Sequence, residues 1–143
     1  MEANQINFFS ECSFELQEEE RYTNWILKAA ASEDRKVGEI NFIFCDDEYL
    51  HKINVEYLDH DTYTDIISFD TTEGNLIGGD IFISVERVRE NANEFSVDFD
   101  TELRRVLIHG ILHFCGYGDK TERDADLMRR KEEEKMEMFH VEQ

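Results

Sequence analysis

Proline is missing altogether from this 143-residue chain, although loops ordinarily use it; no function attaches to the omission. Cysteine is scarce: Cys12, Cys45 and Cys115 are odd in number and show no CxxC spacing. A disulfide framework is therefore not expected, and reduced thiols in a cytoplasmic protein are the simplest reading. No apolar run approaches the roughly 18 to 20 residues that span a bilayer, so no membrane helix is expected. The opening MEANQINFFSEC lacks a basic leader followed by an apolar stretch, and no secretory signal is expected either. Basic residues are few, 15 Lys and Arg against 34 Asp and Glu, for a formal charge of −19. Such a field repels nucleic acid at long range. RNA contact thus requires a local basic patch or a protein partner, and DNA is not expected as a ligand.

Hydrophobic residues make up 41% of the chain and include eleven Phe, so a packed core is expected in one domain spanning residues 1–143. The patterning alternates strands and helices. Ile6 to Phe9 is a short apolar run and a candidate strand. Glu18 to Ala31 carries Tyr22, Trp25, Ile26 and Ala29 at helical spacing. Glu39 to Cys45 alternates as a strand, and Asp46 or Asp47 caps a helix through about Tyr57. Thr64 to Asp70 and Leu76 to Ser84 read as neighbouring strands or a hairpin around the turn-rich TTEGN. Val85 to Phe95 reads as a charged surface helix, Thr101 to Cys115 as a central buried helix, and Lys120 to Met138 as a final charged helix. Within the last, Arg129-Arg130-Lys131 is offset by Glu132 to Glu134 and reads as a solvated face. The expected fold is α/β (α+β), a small, mixed, mostly parallel sheet covered by helices.

The segment that carries chemistry is His109-Gly-Ile-Leu-His113-Phe-Cys-Gly116-Tyr-Gly-Asp119. Two imidazoles four residues apart stand one turn above the other on a helix. A glycine then ends the helix, and the reversed chain can bring a carboxylate back toward them. His109, His113 and Asp119 so form a three-ligand set for a catalytic zinc, one ion per chain, with a position left for water. The bland alternative is a pair of ordinary core or surface histidines, but each imidazole is costly to bury unpaired. The offsets match the metzincin pattern H-E-x-x-H-x-x-G-x-x-H, which makes this a metzincin-like metal helix. Asp119 replaces the third His, and Gly110 stands where a protease keeps its general-base Glu, so the peptidase reading is weak.

Three linked motifs resemble the YbeY family of metal-dependent endoribonucleases. HGILHFCGYGD is similar to that family's H-G-x-L-H-x-x-G-Y-D-H. Upstream, Asn54-x-x-Tyr57-x-x-x-Asp61-x-x-Thr64-Asp65-Ile-Ile-Ser68-Phe69 and Gly79-Asp80-Ile81-Phe82-Ile83-Ser84 are similar to its other two segments. The resemblance implies zinc on His109, His113 and Asp119, single-stranded RNA as substrate, and maturation of the 3′ end of 16S ribosomal RNA with ribosome quality control. It also implies association with the small ribosomal subunit. The sequence departs from the family pattern at Asp119 (usually His), Gly118 (usually Asp) and Leu58 (usually an Arg important for activity). Tyr63 and Asp70 stand at the family's flanking prolines.

The leading functional expectation is zinc-assisted hydrolysis of an RNA phosphodiester. For a general base, Asp65 and Asp80 are candidates by their place at strand ends, with turn or capping roles as the alternative. For RNA contact the candidates are Arg87, Arg89, Arg104, Arg105, Lys120 and Arg123, each with an ordinary ion pair as its alternative. Cys115, near the motif, reads as a small packed residue, and His51, His60 and His140 receive no role. The rival expectation, from a different class, is a metal-stabilised ribosome-assembly factor with little catalysis, favoured by Leu58 and the acidic charge.

Overall fold

The computed structural model describes residues 5–60 and 62–141, the side chains of 140 and 141 excepted, so Asp61 of the upstream motif and the His140 ring lie outside the described residues. The order of elements is β1 (Gln5–Ser10), α1 (Glu19–Ser32), β2 (Lys36–Cys45), α2 (Asp47–Leu58), β3 (Ile66–Asp70), β4 (Leu76–Ser84), α3 (Val85–Phe95), α4 (Phe99–Phe114) and α5 (Glu122–Val141). The strands form one sheet in the order β1-β2-β4-β3. β1 runs parallel to β2 and β2 parallel to β4, while β3 is antiparallel to β4. The expected mixed, mostly parallel sheet is what the chain forms.

Alternation decides what each face of the sheet meets. On β2, Ile40, Phe42 and Phe44 are fully buried, and with Ile77, Ile81 and Ile83 of β4 they join the main core under α1, α3, α4 and α5. The other face carries a smaller cluster, Cys45, Leu50, Ile53 and Ile67, with Phe69 and Phe82 packed against it beneath α2. The middle of helix α4, Val106 to Leu112, is mostly apolar, and the helix lies against the sheet: Leu103, Leu107 and Ile108 are fully buried. Each such side chain contributes about 1.5–3 kcal/mol when buried, so the helix that carries both histidines is anchored along its length. A Cβ on Gly110 would stand 2.9 Å from Ile81 Cδ1 and 3.3 Å from Ile66 Cδ1. The residue that denies a protease base is thus a point of close approach between α4 and the sheet.

Two expected helices prove more buried than their charge implies. α3 turns Val85, Val88 and Ala92 inward. On α5, Met128, Glu132, Lys135 and Phe139 are all buried, recurring every third or fourth residue as a core-facing stripe does. In the Arg129–Glu134 run read as a solvated face, Arg129, Arg130, Glu133 and Glu134 are exposed, but Glu132 is only 7% exposed and Lys135, just beyond the run, is fully buried, because each of these two meets a specific partner inside. α4 also begins earlier than expected, at Phe99, where the Asp98 carboxylate accepts from the Thr101 amide at 2.8 Å as an N-cap.

Candidate metal centre

The C-terminus of α4 builds the site. Gly116, at φ 104°, reverses the chain; its amide donates to the His113 carbonyl, and the Tyr117 amide donates to the Leu112 carbonyl, both at 3.0 Å. This pair of bonds is the Schellman closure that a glycine just past a helix end permits. It returns the chain so that Asp119 Oδ2 lies 3.4 Å from His109 Nε2 and 3.5 Å from His113 Nε2. One ligand atom from each of the three residues falls within 4.8 Å of the others.

Those separations match the chemistry of the donors. Ligand atoms about 2.0 to 2.2 Å from a zinc ion at tetrahedral angles stand about 3.3 to 3.6 Å apart. The tautomers match too. His109 Nδ1 donates to Glu132 Oε2 at 2.7 Å, and His113 Nδ1 donates to the Tyr117 carbonyl at 2.8 Å. With hydrogen on Nδ1, each Nε2 presents its lone pair to the shared point, and such outer partners are the usual orienters of metal-binding histidines. Three donors, two of them fixed by bonds on their far side, fit a single divalent ion with a position to spare.

The surroundings are acidic and half-enclosed. A cavity of about 240 Å³ opens beside His109 and Asp119, lined also by Asp65, Glu102, Arg105 and Glu132. Arg105 Nη1 donates to Glu132 Oε1 at 3.1 Å, and its Nε lies 3.5 Å from Glu102 Oε1, which is buried without a hydrogen-bond partner among the described residues. Burial alone would lower the His109 pKa, but the bond from Glu132 and the charges of Glu132, Asp119 and Asp65 outweigh it and raise it. Burial raises Asp65 above the ordinary aspartate range, against the pull of its backbone bond, His109 and Arg87.

Of the two carboxylates considered as a base, Asp65 lines this cavity and Asp80 does not. Asp80 projects from the opposite face of the sheet, where Asn41 Nδ2 donates to it at 3.0 Å and it borders a separate groove with Tyr49 and Phe82. The arginines considered for RNA are mostly engaged. Arg87 pairs with Asp47 at 2.6 Å, Arg89 and Arg104 stack over the rings of Phe99 and Phe139, and Arg105 is committed to Glu132. Lys120 and Arg123 are exposed beside Asp119 and carry no ion pair among the described residues. Cys115 is buried in the main core, and burial pushes its thiol up to about 11. Leu58 lines a small polar groove with Asn54, His60 and Thr62.

Sequence reasoning missed Glu132 because a lone glutamate in a charged run carries no motif. The one available signal was its place on the stripe between Met128 and Phe139.

Comparison with known proteins identifies the family. The family model described as Endoribonuclease YbeY matches residues 5–140. A Christiangramia forsetii protein named Endoribonuclease YbeY is 69% identical over 143 residues, covering 100% of both chains. A Flavobacterium johnsoniae protein of the same name is 64% identical over 138 residues, covering 96% of this chain and 99% of that one. The solution structure of a Thermotoga maritima protein superposes with a TM-score of 0.67 at 26% identity, over 94% of this chain and 88% of that one. A whole-length family match, relatives this similar and a shared fold leave one conclusion: the chain belongs to the YbeY family.

Proposed function

We propose that this chain is a zinc-dependent, single-strand-specific endoribonuclease that matures the 3′ end of small-subunit (16S) ribosomal RNA in the cytoplasm, with precursor RNA and the small ribosomal subunit as partners. The observation that carries the reading is the convergence of His109 Nε2, His113 Nε2 and Asp119 Oδ2 in a chain whose relatives bear the name endoribonuclease. When bound, zinc supplies Lewis-acid chemistry, polarising a phosphoryl oxygen and acidifying water. Glu132 and the Tyr117 carbonyl hold the two imidazoles in the binding tautomer. Asp65 is the proton acceptor of this proposal: it faces the cavity, and its raised pKa brings it nearer the working range of a general base. Lys120 and Arg123 meet the RNA phosphates, since Arg87 and Arg105 are held in ion pairs and Arg89 and Arg104 lie over aromatic rings.

The test is cleavage of single-stranded and duplex RNA by the zinc-loaded chain and by His113→Ala, with metal content measured on both. Loss of zinc together with loss of single-strand cleavage supports the proposal. Undiminished cleavage by a metal-free His113→Ala chain would refute it.

One observation favours a second reading. With Arg87 and Arg105 in ion pairs, Arg89 and Arg104 stacked on aromatic rings and Leu58 apolar, few cations remain to stabilise phosphate in a transition state. A metal-stabilised assembly factor needs none. A large chelator-sensitive shift in melting temperature with no RNA cleavage selects that reading.

A further inference from the structure

The loop that carries Asp119 is gripped from a part of the chain eighty residues away. After α1 ends at Ser32, the turn into β2 holds Asp34 at φ 60°, and the residues on either side of it both reach that loop. Glu33 Oε1 accepts the Tyr117 hydroxyl at 2.8 Å, and Arg35 Nη2 donates to the Cys115 carbonyl at 2.7 Å. Glu33 is itself held firmly. Its Oε2 lies 2.7 Å from Nζ of the fully buried Lys135 and 3.2 Å from Nζ of Lys131. The Lys131 ammonium also sits 5.7 Å from the centre of the Tyr117 ring. Burial works to raise the Glu33 pKa, but its bonds from Lys135, Tyr117 and Lys131 prevail and lower it to about 2. The grip therefore stays charged at neutral pH.

Tyr117 is the residue whose carbonyl orients His113, and Asp119 follows two positions later. We propose that the Glu33–Arg35 turn is a positioning element of the metal centre: by fixing Tyr117 and Cys115 it sets the loop so that His113 and Asp119 face the ion before it arrives. Glu33, Arg35 and Tyr117 place no donor atom among the three ligands; they act through the loop. A site ordered in advance spends less of its binding energy on immobilising the loop, so loosening the grip weakens metal binding without altering a ligand.

This inference rests on the metal reading above, and its test separates the two. Tyr117→Phe deletes one hydroxyl while leaving the carbonyl to His113 and the Glu33 ion pairs in place. Arg35→Ala removes the other contact. Ile53→Val, in the separate cluster beneath α2, serves as a control for modest general loss of stability. Zinc dissociation constants are measured by competition with a chromogenic chelator, and melting temperatures with EDTA and with zinc. The expected result is zinc affinity weakened about tenfold in each loop variant and unchanged within about twofold in Ile53→Val. The zinc-induced gain in melting temperature shrinks in the loop variants, while their EDTA melting temperatures fall no further than that of the control. Wild-type zinc affinity in both Tyr117→Phe and Arg35→Ala overturns the inference and leaves the metal reading standing. A wild-type chain that binds no zinc overturns both.

Discussion

Replacing Glu132 with Gln is a sharp test of how this centre is organised. The carboxylate receives two donors, Arg105 Nη1 on Oε1 at 3.1 Å and His109 Nδ1 on Oε2 at 2.7 Å, with its side chain only 9% exposed. Glutamine has the same shape but one oxygen and one NH₂. If its oxygen stays with Arg105, the NH₂ faces His109 Nδ1. The ring must then carry its hydrogen on Nε2, the nitrogen that points at Asp119. If the amide turns over, the NH₂ opposes the Arg105 guanidinium, which then keeps only Glu102 as a carboxylate partner. The first arrangement opposes metal binding and the second replaces the carboxylate on His109 Nδ1 with a weaker neutral acceptor; loss of such an outer partner weakens affinity about 10- to 100-fold, or about 1.4 to 2.7 kcal/mol. The variant also loses a charge-assisted buried hydrogen bond worth about 1.5–3 kcal/mol of stability. Chelator competition with zinc gives the first quantity and urea unfolding in EDTA the second, while nitrogen-15 spectra of the imidazoles report the tautomer directly. A zinc dissociation constant within twofold of wild type, with His109 still protonated on Nδ1, would refute the reasoning.

Further outcomes are expected. Asp65→Asn lowers the RNA cleavage rate about 10²- to 10⁴-fold while zinc content stays stoichiometric; a rate within threefold of wild type removes Asp65 as the base. Glu33, lowered from 4.5 to about 2 in the folded chain, contributes stability that is present above pH 4.5 and lost as pH falls toward 2. At about 1.4 kcal/mol per tenfold change in acidity the contribution is at most about 3.5 kcal/mol. Urea unfolding in EDTA between pH 6 and 3 is therefore less pH-dependent in Glu33→Gln, and identical pH dependence contradicts this. Gly79 has φ 147°, and a Cβ there would lie 2.2 Å from the Phe69 carbonyl oxygen and 2.7 Å from Phe114 Cζ. Gly79→Ala accordingly destabilises by at least about 3 kcal/mol in urea unfolding, and a loss under 1 kcal/mol shows that the strand can yield.

The sequence exposed the parts of this molecule governed by period and by local chain geometry. The alternation of Ile40, Phe42 and Phe44 marks β2, the apolar middle of α4 marks its central place, and Gly116 marks the reversal that delivers Asp119. What stayed hidden depends on pairs distant in the chain. Glu132 and Lys135 sit on core-facing positions of α5, but charge at such positions reads as solvent exposure until the partners, His109 with Arg105 and Glu33, are known. Glu33 and Arg35 lie in an unremarkable turn whose importance arises only from what it touches. Asp65 immediately precedes β3 as expected, but Asp80 lies in the middle of β4 rather than at a strand end, and the sequence offered no way to see that the sheet separates them.

The two imidazoles differ in how their orientation is inherited. His109 is aimed by a side chain, Glu132, that one base change in the gene can delete. His113 is aimed by the Tyr117 main-chain carbonyl, an atom that every amino acid at that position supplies. Drift in descendants of this sequence can therefore erode the first arm of the centre directly. The second fails only when the turn itself loses its shape, so the lasting genetic record of His113's aim is Gly116 rather than the residue it contacts.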